Sequence, residues 1–128
     1  MTDEEHRATI KYAVDQVKGR IPVIAGTGSN ETAYAVELSQ YAEKVGADAV
    51  LVVTPYYNKC TQRGLLAHYT AIADAINIPI VLYDVPSRTG VRHHDGDICE
   101  ARQASEYRGG QRGQWRSVED PAPAGSGR

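Results

Sequence analysis

The chain predicts an α/β fold built on a parallel sheet, and three observations carry that reading. Short apolar runs begin at Pro22, Ala49 and Ile78, about 27–30 residues apart, which is the spacing of βα units. A helical apolar pattern precedes each run. The runs are continuous rather than alternating, as in strands of a sheet covered on its outer face.

Each element can be justified in order. Thr2 and Glu5 form a capping box that opens a first helix, along which Ile10, Val14 and Val17 recur at helical spacing. Gly19 suits the C-terminal cap, and Pro22 prevents the helix from continuing. Pro22–Ala25 is the first strand, ended by Gly26-Thr27-Gly28. Asn30 can cap the next helix, whose apolar face is Leu38, Tyr41, Ala42 and Val45, with Gly46 at its end. Ala49–Val53 is the second strand, ended by Thr54-Pro55. A third helix opens at Thr61 and places Leu65, His68, Tyr69, Ile72 and Ile76 on one side. Ile78–Leu82 is the third strand, followed by Tyr83-Asp84-Val85-Pro86.

Composition divides the 128 residues at Val91. The whole chain is ordinary for one domain, 41% hydrophobic and 23% charged. Its net charge of -2 argues against a nucleic-acid partner. It contains no apolar stretch of membrane-spanning length, and its first residues are too charged for a signal peptide. Cys60 and Cys99 make neither a metal spacing nor a disulfide framework, so no metal and no cofactor are expected, and the cytoplasm is the expected compartment. All the lysines lie in residues 1–91: Lys11, Lys18, Lys44 and Lys59. Residues 92–128 carry six arginines, and their only large aliphatics are Ile98 and Val118. Such a segment cannot bury enough surface to offset its ordering entropy and reads as a disordered tail. Six acidic residues interrupt its Arg/Gly character, against an RNA-binding arm.

The βα period is common to a doubly wound sheet and a (β/α)8 barrel, and three strands fit both. In either fold, chemistry collects at the C-terminal ends of the strands. Gly26-x-Gly28 lies there, but Glu31 stands where a dinucleotide fingerprint needs its third glycine. The plainer reading is a tight turn that allows close backbone approach to a ligand. Tyr56-Tyr57 is either a packed aromatic pair or a phenol that relays protons or meets a neighbouring subunit. Tyr83 sits at the mouth of the sheet. Arg88 could clamp a substrate carboxylate, or simply pair with Asp84 at the surface.

Taken together, the strand-end motifs resemble the dihydrodipicolinate synthase family of pyruvate aldolases. RIPVIAGTGSN (residues 20–30) resembles that family's third strand and loop, VTPYYN (53–58) its fourth, and LYDVPSRTG (82–90) its fifth. N-acetylneuraminate lyase shares the Tyr-x-x-Pro element, but the run Pro86-Ser87-Arg88-Thr89-Gly90 favours the synthase. The resemblance implies that residues 1–91 are part of a (β/α)8 TIM barrel, with about three βα units. It implies a lyase of lysine and diaminopimelate biosynthesis that condenses pyruvate with aspartate semialdehyde through a lysine Schiff base, as a homotetramer. By the same resemblance Tyr83 is the tyrosine beside the imine, Tyr57 relays protons toward the partner subunit's site, and Arg88 receives the semialdehyde's carboxylate. His6, Asn30 and Tyr56 match the lysine-effector pocket, whereas Tyr34 and Asp3 stand where some lysine-inhibited members carry Glu and His.

The family's Schiff-base lysine lies in a Lys-Glu-Ala motif on strand six, and no lysine follows Lys59. The genetic code offers a reason. Codons CAA and AGA for Gln111 and Arg112, read one nucleotide later, contain the lysine codon AAA. A permitted codon set from His94 onward, shifted in the same way, translates to MTVTFAKLAKHPNIVAVKEAS, which restores an amphipathic helix, an apolar strand and the missing motif. Residues from about Arg92 are therefore expected to be an out-of-frame translation. The family's Gly-Thr-Thr-Gly-Glu-Ser loop is expected just before Met1. On this reading the polypeptide is a fragment, poorly stable and inactive alone. The reading from another class is a non-catalytic interaction protein that uses the open half-barrel as a binding face.

Overall fold

The computed structural model describes residues 1–85 and 89–90, and the backbone of 116–119. Among the described residues three helices alternate with three strands and a fourth strand follows: α1 (Asp3–Val17), β1 (Ile24–Gly26), α2 (Thr32–Val45), β2 (Ala49–Val53), α3 (Gln62–Ala75), β3 (Ile80–Asp84) and β4 (Arg116–Glu119). The sheet is parallel throughout, in the order β1-β2-β3-β4. Ala25 lies opposite Val50, and Val53 opposite Tyr83.

Local chemistry explains the helices. The Thr2 hydroxyl accepts from Glu5 N–H, and Glu5 accepts from Thr2 N–H, completing the capping box. Thr61 caps α3 through Gly64 N–H. Gly46 closes α2 in the left-handed region. Two expected caps fall elsewhere. Lys18 (φ +51°), one residue before Gly19, is the C-cap of α1. Asn30 does not cap α2: Glu31 is its N-cap, and the Ser29 hydroxyl accepts from Glu31 N–H.

The core lies between the helices and one face of the sheet. Val50, Val52, Ile80 and Leu82 meet Leu38 of α2 and Ile72 of α3, all essentially without solvent contact. The opposite face carries Ile24, which is 55% exposed, and the half-buried Leu51, Val53, Val81 and Tyr83. The first strand lies two residues later than its apolar run suggests, and so does the third. Pro22 and Pro79 lack the N–H a ladder needs. The chain compensates beyond the apolar run: Thr54 N–H donates to Tyr83 O at 3.0 Å, drawing Tyr83 and Asp84 into β3. A fourth strand, β4, runs beside β3 within residues 92–128. Its four residues had no apolar run to announce them, Val118 being the lone aliphatic.

Candidate active site

The C-terminal ends of β2 and β3 open into a cavity of about 480 Å³, lined by Val53, Tyr56, Tyr57, Tyr83, Val85 and Thr89. Its volume is within the range of small-molecule sites. Tyr83 enters from the penultimate position of β3 on the face turned away from the helices. Tyr56 and Tyr57 enter from the loop after β2. Their rings meet edge to face, with centroids 5.3 Å apart and planes at 89°, the arrangement the ring quadrupoles prefer. Tyr57 has φ +69°. A left-handed backbone at a bulky residue is costly, and here it turns the phenol outward, leaving the residue 87% exposed.

Beneath the tyrosines, on the helix-facing side, lies a buried polar layer. Thr27 directly follows β1 and accepts from the Ser39 hydroxyl of α2 at 2.8 Å, while that hydroxyl also lies 2.6 Å from Ala35 O. Thr54 directly follows β2 and receives the Tyr69 hydroxyl of α3 at 3.4 Å. Its own hydroxyl faces Tyr83 O and Asp84 Oδ1, each at 3.4 Å. Burial pushes the Tyr69 phenol far above the usual tyrosine range. Sequence reasoning missed this layer because its residues are polar. The period of two from Val50 through Val52 to Thr54, and from Ile80 through Leu82 to Asp84, is the signal that assigns them to the covered face.

The other predicted site residues separate. His6 Nε2–H donates to Gly26 O at 3.0 Å, tying α1 to the end of β1. Asn30 O accepts from Asn58 Nδ2 at 3.1 Å, tying the loop before α2 to the tyrosine loop. Of the three residues expected in an effector pocket, Tyr56 lines the cavity and His6 and Asn30 do not. Close by on α1, the Asp3 carboxylate is engaged at both oxygens, Oδ1 by the Tyr34 hydroxyl at 2.7 Å and Oδ2 by Arg7 Nε at 2.8 Å. Those bonds, Arg7 first, hold its pKa below the usual carboxylate value. Arg88 lies outside the described residues. The close approach expected at Gly28 is to the chain itself, since a Cβ there would sit 2.4 Å from Val53 N. Among the described residues no group of three or more His, Cys, Asp or Glu is placed to hold a metal ion, and no helix is long and apolar enough to cross a membrane.

Comparison with known proteins gives one consistent result. Residues 1–95 match the model of the dihydrodipicolinate synthetase family. The 4-hydroxy-tetrahydrodipicolinate synthase of Acetivibrio thermocellus is 67% identical over 91 residues, covering 71% of this chain and 31% of that protein. The dihydrodipicolinate synthase of Aquifex aeolicus superimposes with a TM-score of 0.79 at 48% identity, over 80% of this chain and 35% of that one. A chloride-inhibited dihydrodipicolinate synthase from Acinetobacter baumannii, solved with pyruvate, gives 0.76 at 50% identity, over 79% and 35%. The chain thus spans about a third of the length of the relatives it matches.

Proposed function

The chain belongs to the dihydrodipicolinate synthetase family, and from that premise we propose that it carries the tyrosine wall of a 4-hydroxy-tetrahydrodipicolinate synthase site. The observation that carries the reading is the convergence of Tyr56, Tyr57 and Tyr83 on one cavity at the strand ends. In the whole enzyme a lysine amine attacks the keto carbon of pyruvate, and loss of water leaves an imine. Its enamine then attacks the aldehyde carbon of aspartate semialdehyde. Each step moves a proton, and a phenol can give and take one within hydrogen-bond reach. Tyr83 acts beside the imine. Tyr57, held outward, passes protons onward across a subunit boundary of a cytoplasmic homotetramer. Arg88 receives the carboxylate of the semialdehyde, and His6, Asn30 and Tyr56 belong to an effector pocket. Pyruvate in the Acinetobacter relative supports the substrate class.

This polypeptide itself holds no lysine beyond Lys59. We read residues 92–128 as out-of-frame and the 128-residue chain as unable to form the site imine. The test has two parts. Sequencing the gene across the codons for Arg88 to Arg128 shows whether a single base shifts the frame. Borohydride reduction with pyruvate is then applied to the chain and to its frame-restored version. A pyruvate adduct at the restored lysine, and none in the chain as it stands, is expected. Stoichiometric trapping by the chain as it stands would sink the reading.

A further inference from the structure

We propose that Thr54 is the positioning residue of the tyrosine cluster, anchored from α3 by Tyr69. Three observations converge on it. First, Thr54 is fully buried at the point where β2 becomes the tyrosine loop, two residues before Tyr56. Second, its backbone N–H donates to Tyr83 O at 3.0 Å, and its hydroxyl faces that same carbonyl and Asp84 Oδ1, each at 3.4 Å. The hydroxyl has one hydrogen, so these two acceptors share it, and each contact alone is weak. Third, the Tyr69 hydroxyl closes the chain by donating to Thr54 Oγ1 at 3.4 Å. Asp84 is itself buried, at 3% exposure, so the layer works in a low dielectric where weak polar contacts gain strength.

The consequence is geometric. Tyr83 sits on β3 and the Tyr56-Tyr57 pair in the loop after β2, and β2–β3 pairing and Thr54 relate them at their shared end. The side chain of Thr54 points toward the helices while the tyrosines occupy the cavity on the other side. It therefore acts through the backbone, touching no reacting atom. A residue with this role sets the register of two proton carriers, and a small misplacement of such groups is expensive for catalysis. That significance rests on the proposed synthase chemistry, but the positioning itself does not.

The experiment is NMR on the 128-residue chain with labelled tyrosine, leucine and isoleucine, comparing Thr54→Val, Thr54→Ser and Tyr69→Phe. Valine keeps the branched shape and removes the hydroxyl. The expected result is loss of the Tyr56–Tyr57 inter-ring NOE and displaced Tyr83 ring signals in Thr54→Val, with the Leu38 and Ile72 methyl signals in place. Serine restores the NOE. Tyr69→Phe, which deletes one donated hydrogen inside an intact core, moves the Tyr83 signals in the same direction. An unchanged NOE in Thr54→Val overturns the proposal, as does loss of the core methyl signals together with the rings, or Tyr83 signals indifferent to Tyr69→Phe. Rings that answer to Thr54 in a protein whose frame-restored form traps no pyruvate would leave this inference standing and remove the synthase reading. The converse pair of results would do the reverse.

Discussion

Tyr57 meets Tyr56 edge-on at 5.3 Å while standing 87% exposed on a left-handed backbone. The fold gains little from this ring. The left-handed conformation costs a non-glycine residue about 1–2 kcal/mol, and an aromatic pair returns about 0.5–1.5 kcal/mol. Tyr57→Gly removes both terms and adds glycine's entropy cost of about 0.5–1 kcal/mol. Urea unfolding of the variant is expected within about 1 kcal/mol of the parent. Tyr69→Ala, by contrast, empties a core position and is expected to cost about 3–5 kcal/mol. A large loss in Tyr57→Gly would make this tyrosine structural.

Gly28 and Gly26 bracket the end of β1, yet they have opposite tolerances. A Cβ on Gly28 would meet Val53 N at 2.4 Å and Val53 Cγ1 at 2.9 Å, whereas a Cβ on Gly26 meets nothing within 4 Å. A backbone atom of the neighbouring strand cannot step aside without breaking β1–β2 pairing. Gly28→Ala is expected to destabilise by about 3 kcal/mol or more, and Gly26→Ala by less than about 1 kcal/mol. Paired thermal melts check the order.

The same pair of glycines shows what was legible in advance. Gly-x-Gly before a helix announced close approach, but only the register of Ala25 against Val50 reveals that the approached backbone is Val53. Helix faces were readable because apolar spacing records them directly: Leu65, His68, Tyr69, Ile72 and Ile76 are all buried as α3's spacing predicts. Strand ends were less so, since Tyr83 and Asp84 join β3 through hydrogen bonds that hydrophobicity does not encode. Within the site, the three phenols were found from motif position. Thr54, Ser39 and Thr27 were not, because a buried hydroxyl looks like a surface one until its partner is known.

His68 makes stability pH-dependent. It is 5% exposed, its Nδ1 bonds Thr32 Oγ1 at 2.8 Å, and its buried Nε2 has no partner among the described residues. Burial holds its pKa below the ordinary 6.5. Below pH 6.5 the unfolded chain therefore takes up a proton that the folded chain refuses. Stability is complete above that pH and falls as pH drops toward the folded pKa. Melting temperature is expected to decline as pH falls below about 6.5. In His68→Leu that slope should disappear; a slope that persists would assign it to another group.

Arg7 decides how firmly α1 is held. Ile10 is the only fully buried residue of that helix, against four in α2. Arg7 supplies what burial does not: Nε donates to Asp3 at 2.8 Å, one Nη donates to Glu37 of α2 at 2.8 Å, and the guanidinium lies 5.1 Å from the Tyr41 ring centroid. Three directions of contact from one planar group are beyond a lysine ammonium. Because the ion pairs are solvent-facing, each holds α1 only weakly and is screened by salt, and the guanidinium's approach to the Tyr41 ring adds to them. Arg7→Ala is thus expected to raise amide exchange across Asp3–Val17 by about tenfold or more while α2 and α3 keep their protection. Arg7→Lys should recover less than half of the lost protection, since charge returns without the fork or the stacking. Salt should speed α1 exchange in the parent and leave it nearly unchanged in Arg7→Ala. Uniform loss of protection in all three helices would instead place Arg7 in the global fold.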